Sequence, residues 1–259
     1  MDIMAKIRNS FLRDNQSKMR DETMQLLTCQ FTNPGGRSPN EDSVGYFNTD
    51  KYFAWIAADG LGGHISGEIA SAKAVSTLNE ALSDCQKMNQ EFVENTFRKM
   101  NDEILALHGP LTTAVCVFSD GKKLWYANEG DSRFYFIRNH KKLYATNDHS
   151  LAFLAYMTGN IKYEEIPTHP AQNRLFHSLG NETDFWGEFY PEIELEPGDM
   201  FLLATDGFWE LITDEEILRA SRISNTPEEW LSAMLSVVES RLTSVSDNYS
   251  AVCVFAKEN

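Results

Sequence analysis

The sequence predicts an α+β fold in which antiparallel sheets are covered by helices. Short apolar runs arrive in hairpin-like series punctuated by Pro, Gly, Asn and Asp, and helical stretches arrive in pairs instead of alternating with single strands. No internal repeat or low-complexity linker interrupts the 259 residues. The expected organisation is an N-terminal extension over residues 1–25 and one domain over 26–259.

In the extension, Ile3, Ile7 and Phe11 recur at helical spacing, which predicts a short amphipathic helix that packs on its own domain or frays. From Leu26 the pattern turns strand-like, with LLTCQFT, DSVGYF and YFAWIAA separated by turn formers. A glycine-rich turn at 60–63 leads into two helices, about 66–84 and 89–107, where Ile69, Ala70, Val75, Leu78 and Leu82 lie near helical spacing. Four strands follow: TTAVCVF, KLWYAN, RFYFIR and KLYAT. Residues 149–182 are mixed, with one helical piece, LAFLAYM. FYPEIEL and MFLLAT read as a strand pair joined by the turn Glu196-Pro197-Gly198-Asp199, and a helix near 227–242 precedes the strand SAVCVFA.

Composition narrows the function. Apolar residues make up 42% and aromatics 12%, enough for a sizeable core. The 38 acidic against 23 basic side chains give a net charge of −15, which repels a phosphate backbone and argues against nucleic-acid partners. Cys29, Cys85, Cys116 and Cys253 lie far apart without a C-x-x-C pair, so core thiols in a reducing compartment are expected rather than zinc or disulfides. No apolar run reaches the ~20 residues that span a bilayer, and no signal pattern opens the chain. Cytoplasmic residence without membrane insertion is the expectation.

Five aspartates share one kind of position, the end of an apolar strand beside a turn former: Asp42 in NEDS, Asp59 in AADGLGG, Asp131 in EGDSR, Asp206 in LLATDGFW and Asp247 in SDNYS. Singly, each is explained as a turn or cap residue. Two such charges brought within ~4 Å would repel by ~4 kcal/mol at an effective dielectric of ~20, so a fold that gathers them requires a cation. Oxygen donors without a His/Cys cluster favour Mg²⁺ or Mn²⁺ over zinc. Spacing alone does not show that the five meet. Nucleotide loops are disfavoured: Glu68 stands where a P-loop after Gly62 and Gly67 requires Lys, and Ile65 replaces the third glycine of a G-x-G-x-x-G series. His64, His149 and His169 read as turn or capping residues.

In order along the chain, RSPNEDS, AADGLGGHISGEIAS, TTAVCVF with ANEGDSRFYFIR, TNDHSL, HSLG, EPGDMFLLATDGFWE and SDNYSAVCVF resemble the metal-dependent protein phosphatase family of the protein phosphatase 2C type. The resemblance runs from about Arg37 to Phe255 and looks closest to bacterial members. It implies a four-layer αββα sandwich of two antiparallel sheets flanked by helix pairs, with a flap beside a metal site at one end of the sheets. It further implies a serine/threonine phosphoprotein phosphatase in which a water shared by two divalent cations, Mn²⁺ or Mg²⁺, attacks the phosphomonoester directly. The alternative is a family member that keeps the fold as a binding or regulatory module.

By position, the resemblance makes Asp59 the bridging ligand, with the Gly60 carbonyl, Asp206 and Asp247 completing the pair. Asp42 would bind directly or through water, and Glu41 would hold a metal-bound water. Arg37 would grip phosphate with its planar fork. Asp131 and Asp206 match two ligands of a weaker third metal. Two departures stand out: Leu61 replaces a histidine that follows the D-G pair in many eukaryotic members, and Glu210 replaces the family's additional third-site aspartate. Residues 149–182 occupy the flap's place, where Arg174 and His177 are candidates to face phosphopeptide. The implied partners are phosphoserine and phosphothreonine proteins, opposite a Ser/Thr kinase.

Overall fold

A computed structural model describes residues 23–61, 66–181 and 185–259. The helix expected around Ile3, Ile7 and Phe11, together with Gly62, His64 and Ile65, lies outside the described residues. In chain order the elements are β1 (Gln25–Asn33), β2 (Asp42–Asn48), β3 (Phe53–Asp59), α1 (Gly67–Ser83), α2 (Gln90–Leu105), β4 (Ala114–Ser119), β5 (Lys123–Glu129), β6 (Arg133–Arg138) and β7 (Lys141–Ala145). They continue with α3 (Leu151–Met157), β8 (Glu188–Phe189), β9 (Ile193–Glu194), β10 (Met200–Ala204), α4 (Asp206–Trp209), α5 (Asp214–Ile223), α6 (Pro227–Glu239) and β11 (Tyr249–Lys257).

All strand pairs are antiparallel and form two sheets. One runs β1-β11-β10-β6-β7; the other runs β2-β3-β4-β5-β8, with β9 on the far end of β5. The period-two alternation of side chains makes each strand contribute to two cores. Trp55 and Ala57 of β3 meet Phe134, Phe201, Leu203 and Val252 of the opposite sheet. Their neighbours Ala54, Ile56 and Ala58 pack instead on Ala70, Ala74, Leu78 and Phe97 of α1 and α2. On the other outer face, Leu202, Cys253 and Phe255 pack on Trp230, Met234 and Val238 of α6 and Ile217 of α5. The layers are therefore helix, sheet, sheet, helix. Burial on both faces explains why these strands read as continuous apolar runs, each large side chain contributing about 1.5–3 kcal/mol.

Caps set the helix starts. Asn89 accepts from the Phe92 N–H at 3.0 Å ahead of α2, and Thr226 accepts from the Glu229 N–H at 3.2 Å ahead of α6, where Pro227 occupies the first turn. The cysteines are free thiols, with Cys29 and Cys253 in register on β1 and β11. No described helix is long and apolar enough to cross a membrane.

Two sequence expectations are corrected. FYPEIEL and MFLLAT do not pair: β8 and β9 flank Pro191 and join β5, whereas β10 lies between β6 and β11 in the other sheet. The turn between them is a crossing from sheet to sheet, with Gly198 at φ +90 and buried Asp199 held by Nε and Nη2 of Arg138, each at 2.7 Å. Helix α5 was not expected, because DEEILRASRI is mostly polar. Its signal is the capping box, in which Thr213 and Glu216 each satisfy the other's backbone N–H at 3.3 and 3.0 Å.

Candidate metal centre

The strand ends deliver the acids to one edge of the sandwich. Asp42 opens β2 and Asp59 closes β3, and the two are register partners. Like charges directly opposite on adjacent strands destabilise a sheet, so this pairing already requires compensation. Beyond Asp59 the chain passes so close to the start of α1 that a Cβ on Gly60 would lie 2.2 Å from the Gly67 carbonyl oxygen. Only glycine fits there. Thr112 Oγ1 and the Thr113 N–H both donate to the Asp59 carbonyl oxygen at 2.8 Å, fixing the strand end.

Asp131 follows Gly130 (φ +99) between β5 and β6, and Trp209 Nε1 donates to its carbonyl oxygen at 2.9 Å. Asp206 starts α4, where its Oδ1 accepts from the Gly207 N–H at 2.6 Å. Asp247 enters β11 with its Oδ1 accepting from the Asn248 N–H at 2.8 Å. One carboxylate oxygen from each of Asp59, Asp131 and Asp206 lies within 4.8 Å of the other two.

These three acids line a cavity of about 630 Å³ together with Arg37, Glu41, Gly60, Arg174 and Asp247. Arg37 stands at its rim, donating to Asp247 Oδ2 at 2.9 Å from a side chain 56% exposed. Asp42 sits behind the lining. Its Oδ2 accepts from Thr205 Oγ1 at 2.8 Å and from Ser250 Oγ at 2.7 Å. Its Oδ1 has no hydrogen-bond partner among the described residues while both carboxylates are ionised; it is satisfied by a proton shared with Asp59 or by a cation. Glu210 Oε1 is likewise buried without a partner among the described residues.

The electrostatics carry the same message. Burial, then the charges of Asp206, Asp42, Asp131 and Asp247, hold the Asp59 carboxyl well above the usual range. Burial and the neighbouring Asp206 do the same to Asp131. Asp42 is raised to about 6 chiefly by burial, and Asp206 to about 7 by burial and then Asp247 and Asp42. Burial and Asp206 push Glu210 up to about 9, against the opposing pull of Arg133. Glu41 is raised by burial, Glu68 and Asp247. An all-oxygen cluster that resists ionisation, with the buried Glu210 Oε1 lacking a donor among the described residues, fits hard divalent cations.

Other sequence candidates lie elsewhere. His149 is buried, with Nδ1 accepting from the Gly130 N–H at 3.2 Å and Nε2 3.3 Å from Glu188 Oε2. His169 Nδ1 accepts from the Ala171 N–H in a turn. His177 faces a second groove with Phe176 and Trp186 and not the acidic cavity. Sequence reasoning missed the supports. Asn248 is the foremost: its Oδ1 accepts from the Glu41 N–H at 2.7 Å, and its Nδ2 donates to the Pro34 and Pro39 carbonyls at 2.9 and 3.3 Å. It thereby clamps the loop that carries Arg37. The only sequence signal was its place beside Asp247.

Comparisons with known proteins agree on one family. Residues 35–241 match the family model described as protein phosphatase 2C. The serine/threonine phosphatase stp of Listeria monocytogenes is 33% identical over 202 residues, covering 72% of this chain and 80% of that protein. The crystal structure of the serine/threonine phosphatase Stp1 from Staphylococcus aureus is similar with a TM-score of 0.82 at 26% identity, covering 93% of this chain and 98% of that one. The catalytic domain of the phosphatase PstP, solved in complex with two manganese ions, matches with a TM-score of 0.76 at 25% identity, over 91% of this chain and all of that one. With the motif series, the four-layer sandwich and the acidic cavity between its sheet ends, this chain belongs to the protein phosphatase 2C family.

Proposed function

We propose that this chain is a metal-dependent serine/threonine protein phosphatase, acting on phosphoserine and phosphothreonine proteins. The observation that carries the reading is the acidic floor formed by Asp59, Asp131 and Asp206 beneath an arginine rim. The names of the Listeria and Staphylococcus relatives, and the two manganese ions in the PstP structure, support it.

When bound, a pair of Mn²⁺ or Mg²⁺ ions supplies Lewis acidity, making a water nucleophilic near neutral pH and offsetting charge on the phosphoryl group. Asp59, Asp206, Asp247 and the Gly60 carbonyl would hold that pair, Asp42 would bind it directly or through water, and Glu41 would act through a water. Asp131 and Glu210 would serve a third, weaker ion with Asp206. Arg37 grips the phosphate: its exposed pair with Asp247 is worth under ~1 kcal/mol, so the guanidinium turns to two phosphoryl oxygens at little cost. Arg174, which also lines the cavity, contacts the phosphopeptide. None of the four cysteines lines the cavity, in keeping with direct hydrolysis rather than a thiol phosphoenzyme.

The proposal extends to cytoplasmic action against a Ser/Thr kinase, through a phosphatase domain over residues 26–259 behind the extension at 1–25. The test is hydrolysis of 4-nitrophenyl phosphate and a phosphothreonine peptide with Mn²⁺ or Mg²⁺. Chelator and Asp206→Asn should each abolish it. Wild-type rates equal to the buffer blank at saturating Mn²⁺ would favour the inactive binding module.

A further inference from the structure

Residues 173–178 form a wall between two hollows. Its backbone is fixed on both sides: the Phe176 N–H donates to the His149 carbonyl and the Leu151 N–H to the Arg174 carbonyl, each at 2.9 Å, and Leu179 exchanges two bonds with Thr112. Arg174, Leu175 and Ser178 face the acidic cavity, whereas Phe176 and His177 face a groove of about 810 Å³. That groove gathers apolar surface. Among the described residues nine large hydrophobic side chains are exposed, and four of them line it: Leu154 at 50%, Met157 at 65%, Phe176 at 44% and Trp186 at 62%. Such clustering marks a contact site, where scattered exposure would not. The Trp186 indole is stacked on His177 at 5.1 Å and 11°, which holds a large flat surface in place before anything binds.

We propose that this groove binds a bulky apolar side chain of the phosphoprotein substrate, near the phosphoresidue in sequence; the inference rests on the phosphatase reading above. Two observations select that occupant. The groove lies beside the acidic cavity, since the one short segment 173–178 contributes side chains to both. A substrate chain passing over one backbone layer, on the order of 10 Å thick, needs about three extended residues at ~3.3 Å each. A second copy of this chain would bring its own charge of −15 against the first, whereas a short peptide carrying one aromatic or branched residue brings apolar surface without that repulsion. The substrate class is thus a phosphosegment with an apolar anchor roughly three residues from the phosphate.

The experiment uses the full chain loaded with Mn²⁺ and three phosphothreonine peptides, with Trp three residues before the phosphothreonine, Trp three after it, or Ala at both places. One of the Trp peptides should exceed the Ala peptide about tenfold in kcat/KM. The double variant Leu154→Glu/Met157→Glu, at exposed positions of α3, should bring the peptides within twofold of each other while leaving 4-nitrophenyl phosphate turnover unchanged. Fluorescence anisotropy with the same peptides carrying Glu in place of phosphothreonine gives a readout free of catalysis, and the same Trp preference, lost in the variant, is expected. If turnover is absent but that binding preference stands, the phosphatase reading falls and the groove survives. Equal Trp and Ala peptides in both measurements, or a preference retained by the variant, overturns the proposal. So does a wild-type dimer in sedimentation that the variant converts to monomer, since the groove would then close on a second copy.

Discussion

Replacing Asp206 by Asn should stabilise the metal-free protein while destroying the metal-dependent one. At the 4.8 Å limit of the cluster, each ionised neighbour repels Asp206 by about 3.5 kcal/mol at an effective dielectric of ~20. The acidity gives a similar size. The carboxyl is moved from 3.8 to about 7, which corresponds to about 4 kcal/mol. Asparagine retains the Oδ1 acceptor for the Gly207 N–H and turns an amide donor toward the remaining carboxylates. The sign follows from linkage: a carboxyl raised above its unfolded value contributes stability that is fully present below ~3.8 and lost as pH rises through about 7. In chelator at pH 8, urea unfolding should therefore find Asp206→Asn more stable than wild type by roughly 2–4 kcal/mol, and the gap should shrink to less than half by pH 5. Saturating Mn²⁺ should reverse the order, because the wild type gains binding energy that the variant lacks. A variant no more stable than wild type in chelator at pH 8 would refute the claim that burial and the neighbouring charges penalise an ionised Asp206.

Three further outcomes are expected. Arg37→Ala should lower kcat/KM for a phosphothreonine peptide about 100-fold yet change urea stability by less than ~1 kcal/mol, since its ion pair is exposed; Arg37→Lys should recover only part of the rate. Asn248→Ala strands the Glu41 N–H and two proline carbonyls, so it should cost about 2 kcal/mol by urea unfolding and weaken Mn²⁺ in a calorimetric titration. Gly207→Ala would set a Cβ 2.1 Å from the Asn248 carbonyl oxygen, forcing α4 away from β11; a loss of about 1–3 kcal/mol in thermal unfolding is expected, with reduced activity.

Much of the architecture was legible because doubly buried strands such as FAWIAAD and AVCVFS are apolar throughout. What misled was adjacency. FYPEIEL and MFLLAT are neighbours in sequence with a good turn between them, yet Asp199 anchors that turn to Arg138 and sends the chain into the other sheet. Nothing local encodes that choice. Helix α5 hid because only Ile217, Ala220 and Ser221 of its ten residues are buried. In the site, strand-end aspartates beside glycine could be picked out one by one, and the structure gathers Asp59, Asp131, Asp206 and Asp247 around one cavity. Their supports could not be picked out. Thr205 and Ser250 reach Asp42 across 163 and 208 residues, separations over which no spacing rule operates.

The position of β11 ties closure of one sheet to assembly of the acidic cavity. It lies between β1 and β10, which have no pairing with each other, and Asp247, Asn248 and Ser250 travel with it. A nascent chain halted before residue 247 has an open seam through one sheet, an unclamped Arg37 loop and a carboxylate short. Docking of this strand therefore closes the sheet, clamps the Arg37 loop and brings Asp247 to the cavity together.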